Sequence, residues 1–309
     1  MKILVTGGAG FVGSHLIEDL LSQGHEVTCL DNFSTGKLSN IESCRKNINL
    51  VKGDIRDSET VINALEGIDL IFHLAAQISV SRSMREPSFD ASVNIIGFLN
   101  LLESMLKGGT RKLVYVSTGG AIYGEPTELP VSENAIEKPI SAYGLSKLVG
   151  ERYLEWFHKT YGLSYSIIRP ANIYGPRQDP RGEAGVISIF LGNFLMKKPI
   201  AIFGDGYDTR DYIYVKDITN VCIKAMNTNQ NTTFNIGTGI QTNLLNLVNI
   251  IEKVTELKTI PIFEPPRPGD VKHISLDYTK AKNILKWEPK VSLEKGIKLT
   301  WDWFKYSVN

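Results

Sequence analysis

The sequence has little of three things that mark particular classes of protein: cysteine, long apolar runs and an excess of one charge. Cysteine occurs only at Cys29, Cys44 and Cys222, without a C-x-x-C pair, so neither a disulfide framework nor a zinc site is indicated. No stretch reaches the roughly 18 apolar residues of a membrane span, and the apolar start is too short for a signal peptide. We therefore expect a cytoplasmic protein with no metal and no membrane partner.

The charges nearly cancel, because Lys plus Arg number 34 and Asp plus Glu number 33. A chain without a charge excess is not expected to bind nucleic acid as its main task, whereas small anionic ligands remain open. Hydrophobic residues make up 42% of the 309 positions, enough for a substantial core. The composition indicates a globular protein of one large domain or two small ones.

A strand, a glycine turn and a helix follow one another at the N-terminus. The β-rich run Lys2–Thr6 precedes the sequence GGAGFVG at Gly7–Gly13, and a helix is predicted over Ser14–Ser22. Glycine lets the backbone approach a diphosphate, which the free N–H groups of a helix N-terminus attract. The second strand, Glu26–Leu30, ends in Asp31, a residue type that bonds ribose hydroxyls and repels a 2′-phosphate. This order predicts a site for NAD rather than NADP.

Strands and helices continue to alternate up to residue 168. The predicted strands are Asn49–Lys52, Asp69–Leu74, Lys112–Ser117 and Ser164–Ile168, and the predicted helices are Ser58–Leu65, Ser88–Leu106 and Tyr143–Thr160. Such alternation predicts an α/β fold with a doubly wound parallel (Rossmann) sheet, which binds ligands at the carboxyl ends of its strands.

Proline, glycine and arginine become frequent after residue 168, which indicates loops and the start of a smaller substrate-binding part. Helices are predicted over Val186–Met196, Leu244–Thr255 and Thr279–Leu285, and a strand over Thr233–Ile236 is expected to return to the main sheet. We expect an NAD-binding domain of residues 1–170 with 213–240, and a smaller C-terminal substrate-binding domain of residues 171–212 with 241–309.

A tyrosine and a lysine four positions apart occur three times, at Tyr143–Lys147, Tyr212–Lys216 and Tyr278–Lys282. On a helix this spacing places both side chains on one face, about 6 Å apart along the axis. A nearby cation favours ionisation of a phenol, whose unperturbed pKa is about 10. Tyr212 lies in a predicted strand, where Lys216 would be about 13 Å away. No cofactor loop precedes the pair at Tyr278–Lys282. Context therefore selects Tyr143 and Lys147.

These motifs together resemble the extended branch of the short-chain dehydrogenase/reductase superfamily, and within it the NAD-dependent nucleotide-sugar epimerases. The resemblance is carried by Thr6–Gly13, Asp31–Asn32, Gly53–Asp54, His73–Ala76, Tyr143–Lys147, Asn172–Pro176, Arg210–Tyr212 and Arg267–Asp270. It runs from Met1 to the last helix and is strongest to UDP-glucose 4-epimerases. The substrates it implies are UDP-glucose and UDP-galactose, with a UDP-N-acetylhexosamine as a further candidate.

The resemblance also implies a role for each motif residue. NAD would be bound by Gly7, Gly10, Phe11, Val12, Gly13, Asp31, Asn32, Asp54, Ile55, Leu74, Ala75, Ala76, Gln77, Asn94, Tyr143, Lys147 and Pro170. The UDP-sugar would be bound by Ser117, Thr118, Tyr143, Asn172, Val186, Ile202, Phe203, Arg210, Arg267, Asp270 and Ile274. Tyr143 would be the base, Lys147 its activator, and Thr118 or Ser117 the partner of the sugar hydroxyl.

One position departs from the pattern of these epimerases. Counted back from Tyr123, their usual catalytic hydroxyl falls at Gly119, whereas Ser117 and Thr118 lie just before Gly119 and Gly120. We expect Thr118 to take this role. The glycine pair also stands where the related 4,6-dehydratases carry an Asp-Glu that eliminates water, so dehydration lacks its proton carriers.

The reaction implied is proton removal from the sugar 4-hydroxyl by Tyr143 with hydride transfer to tightly bound NAD, rotation of the 4-keto intermediate, and return of the hydride to its other face. Lys147, the helix dipole and the NAD charge are expected to keep the phenol partly ionised. Ile274 would wall the pocket for the 2-substituent and favour sugars without an acetamide.

Alternatives are a UDP-N-acetylglucosamine 4-epimerase, a UDP-glucuronate decarboxylase on the same scaffold, and a non-catalytic NAD-sensing protein. The chain is also expected to form a homodimer. The predicted helix Ser88–Leu106 carries more apolar residues than one sheet face needs, so it would pair with the Tyr143 helix across a two-fold axis.

Overall fold

The computed structural model describes residues 1–181, 185–267 and 270–307. Its strands are β1 (Lys2–Thr6), β2 (Glu26–Asp31), β3 (Ile48–Lys52), β4 (Leu70–His73), β5 (Lys112–Val116), β6 (Ser164–Pro170), β7 (Asn172–Tyr174), β8 (Ala201–Phe203), β9 (Thr209–Arg210), β10 (Tyr212–Tyr214), β11 (Thr232–Ile236), β12 (Thr242–Asn243) and β13 (Ile262–Glu264). Within the described ranges, seven of them form a parallel sheet in the order β11-β6-β5-β4-β1-β2-β3. The predicted Rossmann sheet is confirmed. The strand order reverses between β1 and β4, where such folds bind their ligands.

The helices are α1 (Phe11–Ser22), α2 (Leu38–Ile41), α3 (Ser58–Ala64), α4 (Val80–Arg85), α5 (Pro87–Ala91), α6 (Phe98–Gly108), α7 (Ala142–Tyr161), α8 (Val186–Leu195), α9 (Val215–Met226), α10 (Leu244–Thr255), α11 (Thr279–Leu285) and α12 (Leu293–Ser307). The sheet separates two apolar clusters. Alternation along β1 places Ile3 and Val5 in the cluster that contains residues of α1, α9 and α11, and Leu4 in the cluster with α3, α6 and α7. Both faces of the sheet are therefore buried, as a parallel sheet requires.

The smaller part of the chain is built from short strand pairs. β7 pairs with β10, β8 with β13 and β9 with β12. A third apolar cluster lies here, formed largely by residues of α8, α10 and α12. The predicted helices at 186–196, 244–255 and 279–285 are present, and β11 joins the main sheet beside β6 as expected.

Three elements differ from the sequence expectation. The helix expected over residues 88–106 consists of α5, a π-helix over Ser92–Gly97 and α6. The strand predicted around Tyr212 is short, because it ends at Tyr214 and the amphipathic helix α9 begins at the next residue. The C-terminal helix α12 was not anticipated. Phe98, Leu101 and Leu102 are buried within their own chain, so part of the apolar surface assigned to a dimer is already covered.

One helical stretch among the described residues, Pro87–Gly108, is long and apolar enough to span a membrane by length and composition alone. In the fold, 44% of its most apolar window is buried inside the chain. A core helix passes the same test, and its packing against α3 and α7 gives this stretch a place in the core.

Candidate functional site

The glycine turn between β1 and α1 has no room for side chains. Gly7 has φ +70°, and a Cβ built on it would lie 2.8 Å from the backbone nitrogen of Ala75. A Cβ on Gly13 would lie 2.8 Å from the Cα of Gly8. Gly10 begins α1 without a side-chain cap, so the first-turn N–H groups, among them those of Phe11 and Val12, remain for a ligand. The turn can therefore hold an anionic group against the helix N-terminus.

Asp31 ends β2 beside this turn. One carboxylate oxygen accepts the N–H of Ala9 at 2.9 Å and the other accepts the N–H of Phe33 at 2.8 Å. Burial raises the pKa of Asp31, and these two hydrogen bonds oppose the rise. Because each carboxylate oxygen can accept more than one hydrogen bond, Asp31 can hold the turn and still receive ribose hydroxyls.

Asp54 and Ile55, which the resemblance places at NAD, have different surroundings. The Arg56 guanidinium holds both oxygens of Asp54 through bonds of 2.9 and 2.8 Å, and the side chain of Asn32 donates to the same carboxylate at 2.8 Å. These contacts hold the pKa of Asp54 well below its usual range. The side chain of Asn32 is therefore tied to Asp54. Ile55, by contrast, is buried and fills the space beside Gly97.

The segment after β4 is fixed by a buried amide. Asn94, on the π-helix, accepts the N–H of Gln77 at 2.9 Å and donates to the Gln77 carbonyl at 2.9 Å. Asp90 accepts from both Gln77 and Asn94, at 2.8 and 3.1 Å. Asn94 thus fixes the path of Leu74–Gln77 beside Gly7. Asp90 was not identified from the sequence, because an acidic residue in an otherwise apolar helix is normally expected to face solvent.

Tyr143 lies in the first turn of α7, where several hydroxyls fix the helix start. Ser141 caps the helix by accepting the N–H of Gly144 at 3.1 Å, and Ser83 of α4 accepts the N–H of Tyr143 at 3.0 Å. The hydroxyl of Thr118, which follows β5, lies close enough to the Tyr143 hydroxyl to lower its pKa. The structure therefore brings together the two residues that the sequence paired as base and hydroxyl partner.

Lys147 lies one turn further along α7 and is buried. Its ammonium donates to the Val116 carbonyl at 2.7 Å and lies 4.4 Å from the centre of the Tyr115 ring. Burial lowers the pKa of Lys147 to about 7, while the carboxylates of Glu151 and Asp90 raise it. The lysine is thus balanced between its charged and neutral forms near neutrality.

The expected ionisation of Tyr143 is not produced by the groups of the chain itself. Burial raises the pKa of Tyr143 to about 12, and the nearby Thr118 hydroxyl offsets only part of the rise. Lys147 does not reverse this, because burial removes much of its own charge. The expectation that Lys147, the helix dipole and the NAD charge together keep the phenol partly ionised therefore stays a prediction, and it depends on the NAD charge.

Gly119 has a steric reason to be glycine. A Cβ at this position would overlap a methyl group of Leu276 and lie 3.0 Å from the carbonyl oxygen of Arg169. The buried Leu276 thus occupies the volume that a side chain at 119 would need. The hydroxyl of Ser117 is buried without a hydrogen-bond partner among the described residues, so Thr118 is the better-placed partner of Tyr143.

In the other two tyrosine–lysine pairs, the lysine binds a carboxylate. Lys216 begins α9 and donates to Asp19 at 2.7 Å, whereas Tyr212 is buried in β10. Lys282 forms a surface ion pair with Glu288 at 3.1 Å. The choice of Tyr143 from sequence context agrees with these contacts.

Asn172 and Pro170 lie at the carboxyl end of β6. The Pro170 carbonyl accepts the N–H of Gly119 at 2.8 Å, and the N–H of Asn172 donates to the Asp211 carbonyl at 2.9 Å. The side-chain oxygen of Asn172 is buried without a partner among the described residues. Asp211, fully buried, accepts the N–H of Leu276 at 3.1 Å and so ties this edge to the segment that covers Gly119.

The expected UDP-binding residues form a basic, partly open group. The Arg267 guanidinium lies 3.6 Å from the centre of the Phe203 ring. Arg210 donates to the carbonyls of Thr209 and Lys272, and the carboxylate of Asp270 is within electrostatic reach of both arginines. Two guanidiniums suit a diphosphate, which they can bind through charge-assisted forked hydrogen bonds.

Two residues expected at the substrate, Ile202 and Ile274, are buried. The side chain of Ile202 is fully buried in the third apolar cluster, because alternation along β8 turns it away from the face that carries Phe203. The prediction that the side chain of Ile202 contacts the substrate is therefore wrong. Ile274 is 2% exposed and belongs to the same buried cluster as Leu276, so its role in sugar selection stays a prediction. Val186 begins α8 and is partly exposed.

A buried ion-pair network behind the site was also missed. Arg169 donates to Glu151 and Glu137, and its third donor bonds the Tyr123 hydroxyl at 2.7 Å. Glu151 lies four residues after Lys147, and no short-range signal distinguishes it from a surface charge. Among the described residues no group of three or more histidine, cysteine or acidic side chains could hold a metal ion.

The chain is similar to named proteins over its whole length. A model described as the NAD dependent epimerase/dehydratase family matches residues 3–237. The UDP-glucose 4-epimerase of Mycolicibacterium smegmatis is 43% identical over 309 residues, which are 99% of each chain. The UDP-glucose 4-epimerase of Thermotoga maritima, solved with UDP-glucose, has a TM-score of 0.97, 47% identity and full coverage of both chains. That of Thermus thermophilus, solved with NAD, has a TM-score of 0.95 and 40% identity, covering 99% of this chain and 100% of that one.

Proposed function

Because this chain belongs to the NAD dependent epimerase/dehydratase family, we propose that it interconverts UDP-glucose and UDP-galactose by inverting the configuration at C4 of the sugar. It is an NAD-dependent nucleotide-sugar epimerase. The observation that supports a mechanism for this substrate is the closeness of Thr118 to the Tyr143 hydroxyl, whose pKa it lowers, at the carboxyl edge of the sheet. This edge also carries the glycine turn at the start of α1.

The residues of the chain fit NAD. The side-chain-free cradle at Gly7 and Gly13 and the uncapped start of α1 would hold the diphosphate, and Asp31 would receive the adenosine ribose. Lys147 and Tyr143 would face the nicotinamide ribose. When bound, NAD supplies the reversible oxidation and reduction at C4.

The chain's own groups manage the proton of the sugar hydroxyl. Tyr143 takes the proton from the 4-hydroxyl and returns it, while Thr118 bonds the same hydroxyl and orients it. The pKa of Tyr143, about 12 in the protein alone, has to fall for this exchange. A positive charge beside the phenol, of the kind the nicotinamide ring carries, has the sign that lowers it.

The nucleotide half of the substrate would be held by Arg210, Arg267 and Asp270, with Asn172 at the boundary with the main sheet. This supports the proposed division into an NAD-binding part, residues 1–170 with 213–240, and a UDP-sugar-binding part, residues 171–212 with 241–309. Residues 268 and 269 lie outside the described ranges.

Product analysis tests the proposed reaction. The purified protein is incubated separately with UDP-glucose and with UDP-glucuronate, and the sugars are identified by NMR. We expect UDP-galactose from the first and no carbon dioxide or UDP-xylose from the second. Decarboxylation without epimerisation would contradict the proposal, and so would the absence of any product.

Cofactor content gives a second test. A cycle that returns the hydride it removes gains nothing by releasing the reduced cofactor midway, so the purified protein should contain NAD and work without added coenzyme. Nicotinamide is assayed in the supernatant after denaturation. A protein that consumes free NADH in proportion to product would instead be a net oxidoreductase.

We also propose a cytoplasmic homodimer. An apolar face on α7 carries Leu145, Tyr153 and Trp156, which are 53%, 38% and 48% exposed, and Ile96 of the π-helix is 59% exposed. Pairing these helices across a two-fold axis would cover the face. Light scattering of the wild type should exceed the 34.4 kDa of one chain, and Leu145→Asp with Trp156→Glu should reduce it. A wild type that remains at one chain at micromolar concentration would contradict this.

A further inference from the structure

We infer that Tyr115 is a positioning residue for Lys147, and that the face of its ring holds the lysine ammonium in the buried site. This inference rests on the proposed function for its catalytic consequence. The ammonium lies 4.4 Å from the ring centre, within the distance of about 6 Å over which a cation is attracted to an aromatic face. Its one direct hydrogen bond among the described contacts is to the Val116 carbonyl.

The ring is itself fixed by its neighbours. Tyr115 is 1% exposed, and its ring stacks on Phe98 with a centre-to-centre distance of 4.6 Å and an angle of 11° between planes. His73 stacks on Phe98 in turn, at 4.8 Å and 13°. Gly150 leaves the space that the Tyr115 hydroxyl occupies, since a Cβ there would lie 2.7 Å from it. The ring cannot turn away from Lys147 without displacing this stack.

The hydroxyl of Tyr115 does not explain why the residue is aromatic. It lies 3.5 Å from the Lys147 carbonyl, at the long limit of a hydrogen bond. The ring face is the part of Tyr115 that meets the ammonium. Phenylalanine at this position should therefore preserve the contact, and an aliphatic residue should remove it.

Other charged and titratable groups also lie around Lys147, but they do not replace the Tyr115 ring as its neighbour. They are Asp90 on α5, Glu151 and Tyr143 on α7, His73 on β4 and Tyr115 on β5. Glu151 is already paired with Arg169, and Asp90 already accepts from Gln77 and Asn94. Both carboxylates are thus shared with other donors, whereas the ring face is directed at the lysine.

This contact bears on activity because Lys147 is balanced near neutrality, with a pKa of about 7. Loss of the ring should lower that pKa by about 0.4 to 1.5 units, the range that a cation–π contact supplies. At pH 7.5 the charged fraction of Lys147 would then fall between about twofold and about 25-fold. Turnover should fall with it and recover toward lower pH.

The test uses the protein as purified, labelled with ¹³C at the lysine Cε, and follows its titration by NMR. Lys147→Met identifies the Lys147 signal. We expect the pKa of Lys147 to be unchanged in Tyr115→Phe and lower in Tyr115→Leu. Phe98→Leu is the matched control, because it removes a buried ring of the same stack that is not the ring in contact with the ammonium. The pH dependence of turnover is measured in the same variants.

Equal shifts in Tyr115→Leu and Phe98→Leu would overturn the inference, since packing rather than the ring face would then set the pKa. No shift in Tyr115→Leu would overturn it too. Increasingly fluorinated phenylalanines at position 115 keep the shape and weaken the ring face, so they provide the test if Tyr115→Leu does not fold. The titration needs no turnover, so a wild type without epimerase activity would refute the proposed function alone.

Discussion

Gly119→Ser should destabilise the protein through one neighbour, Leu276. The added Cβ would lie 3.1 Å from one methyl carbon of Leu276, closer still to the other, and 3.0 Å from the Arg169 carbonyl oxygen. Carbon atoms in contact are about 3.5–4.0 Å apart, so the nearer methyl group of Leu276 has to move by more than about 1 Å. Leu276 is fully buried, and overpacking of this size costs about 1–3 kcal/mol.

The neighbour can be removed to test the cause. Leu276→Ala alone should cost about 2–5 kcal/mol, because it leaves a cavity in the core. In that background Gly119→Ser should cost much less than in the wild type, a coupling of about 1 kcal/mol or more. The relief should stay incomplete, because the Arg169 carbonyl still lies close.

Urea unfolding of the two single variants and the double variant measures this coupling. Gly108→Ser is the control, since the nearest atom to a Cβ there is the Leu65 Cβ at 3.7 Å, an ordinary contact. Strictly additive costs, or a Gly119→Ser protein as stable as the wild type, would refute the argument that Leu276 keeps position 119 free of a side chain.

Three further outcomes follow from the site. Thr118→Val should lower turnover by about 10²-fold or more and Ser117→Ala much less, measured as kcat with UDP-glucose; the reverse order would transfer the role to Ser117. Because the pKa of Asp54 is lower in the folded than in the unfolded protein, its ionised carboxylate stabilises the fold above the unfolded pKa of about 4, and this stabilisation is lost as the pH falls. Stability should therefore fall more steeply between about pH 5 and 2 in the wild type than in Asp54→Asn, as measured by acid unfolding. Ile274→Ser should shift kcat/KM toward UDP-N-acetylglucosamine from a preference for UDP-glucose of about 10- to 200-fold; an unchanged ratio would mean that the buried Ile274 only packs the core.

The features that could be predicted from the sequence are those that depend on residues close together in the chain. The Gly7–Gly13 turn needs small residues at fixed spacing between a strand and a helix, and the Tyr143–Lys147 spacing defines one helix face. Family, fold class, NAD and the epimerase assignment are confirmed. The domain boundaries and the roles of individual site residues stay predictions.

Contacts between residues far apart in the chain could not be predicted from the sequence. Leu276 fills the space at Gly119, and Arg169 neutralises Glu151 behind Lys147, yet neither pair is linked by spacing or periodicity. Ile202 was misplaced because a short strand gives no sign of which face meets the core. The pKa of Tyr143 depends on burial, which the i to i+4 rule does not contain.

The central claim is that Tyr143, which lies beside Thr118, moves the proton of the sugar 4-hydroxyl. Its most direct test is the conversion of UDP-glucose to UDP-galactose by the wild type, Tyr143→Phe and the control Tyr278→Phe, with binding of UDP-glucose measured by calorimetry in each. We predict that Tyr143→Phe binds the substrate and loses at least about 10² in turnover, while Tyr278→Phe matches the wild type. Equal turnover in the two variants would contradict the claim.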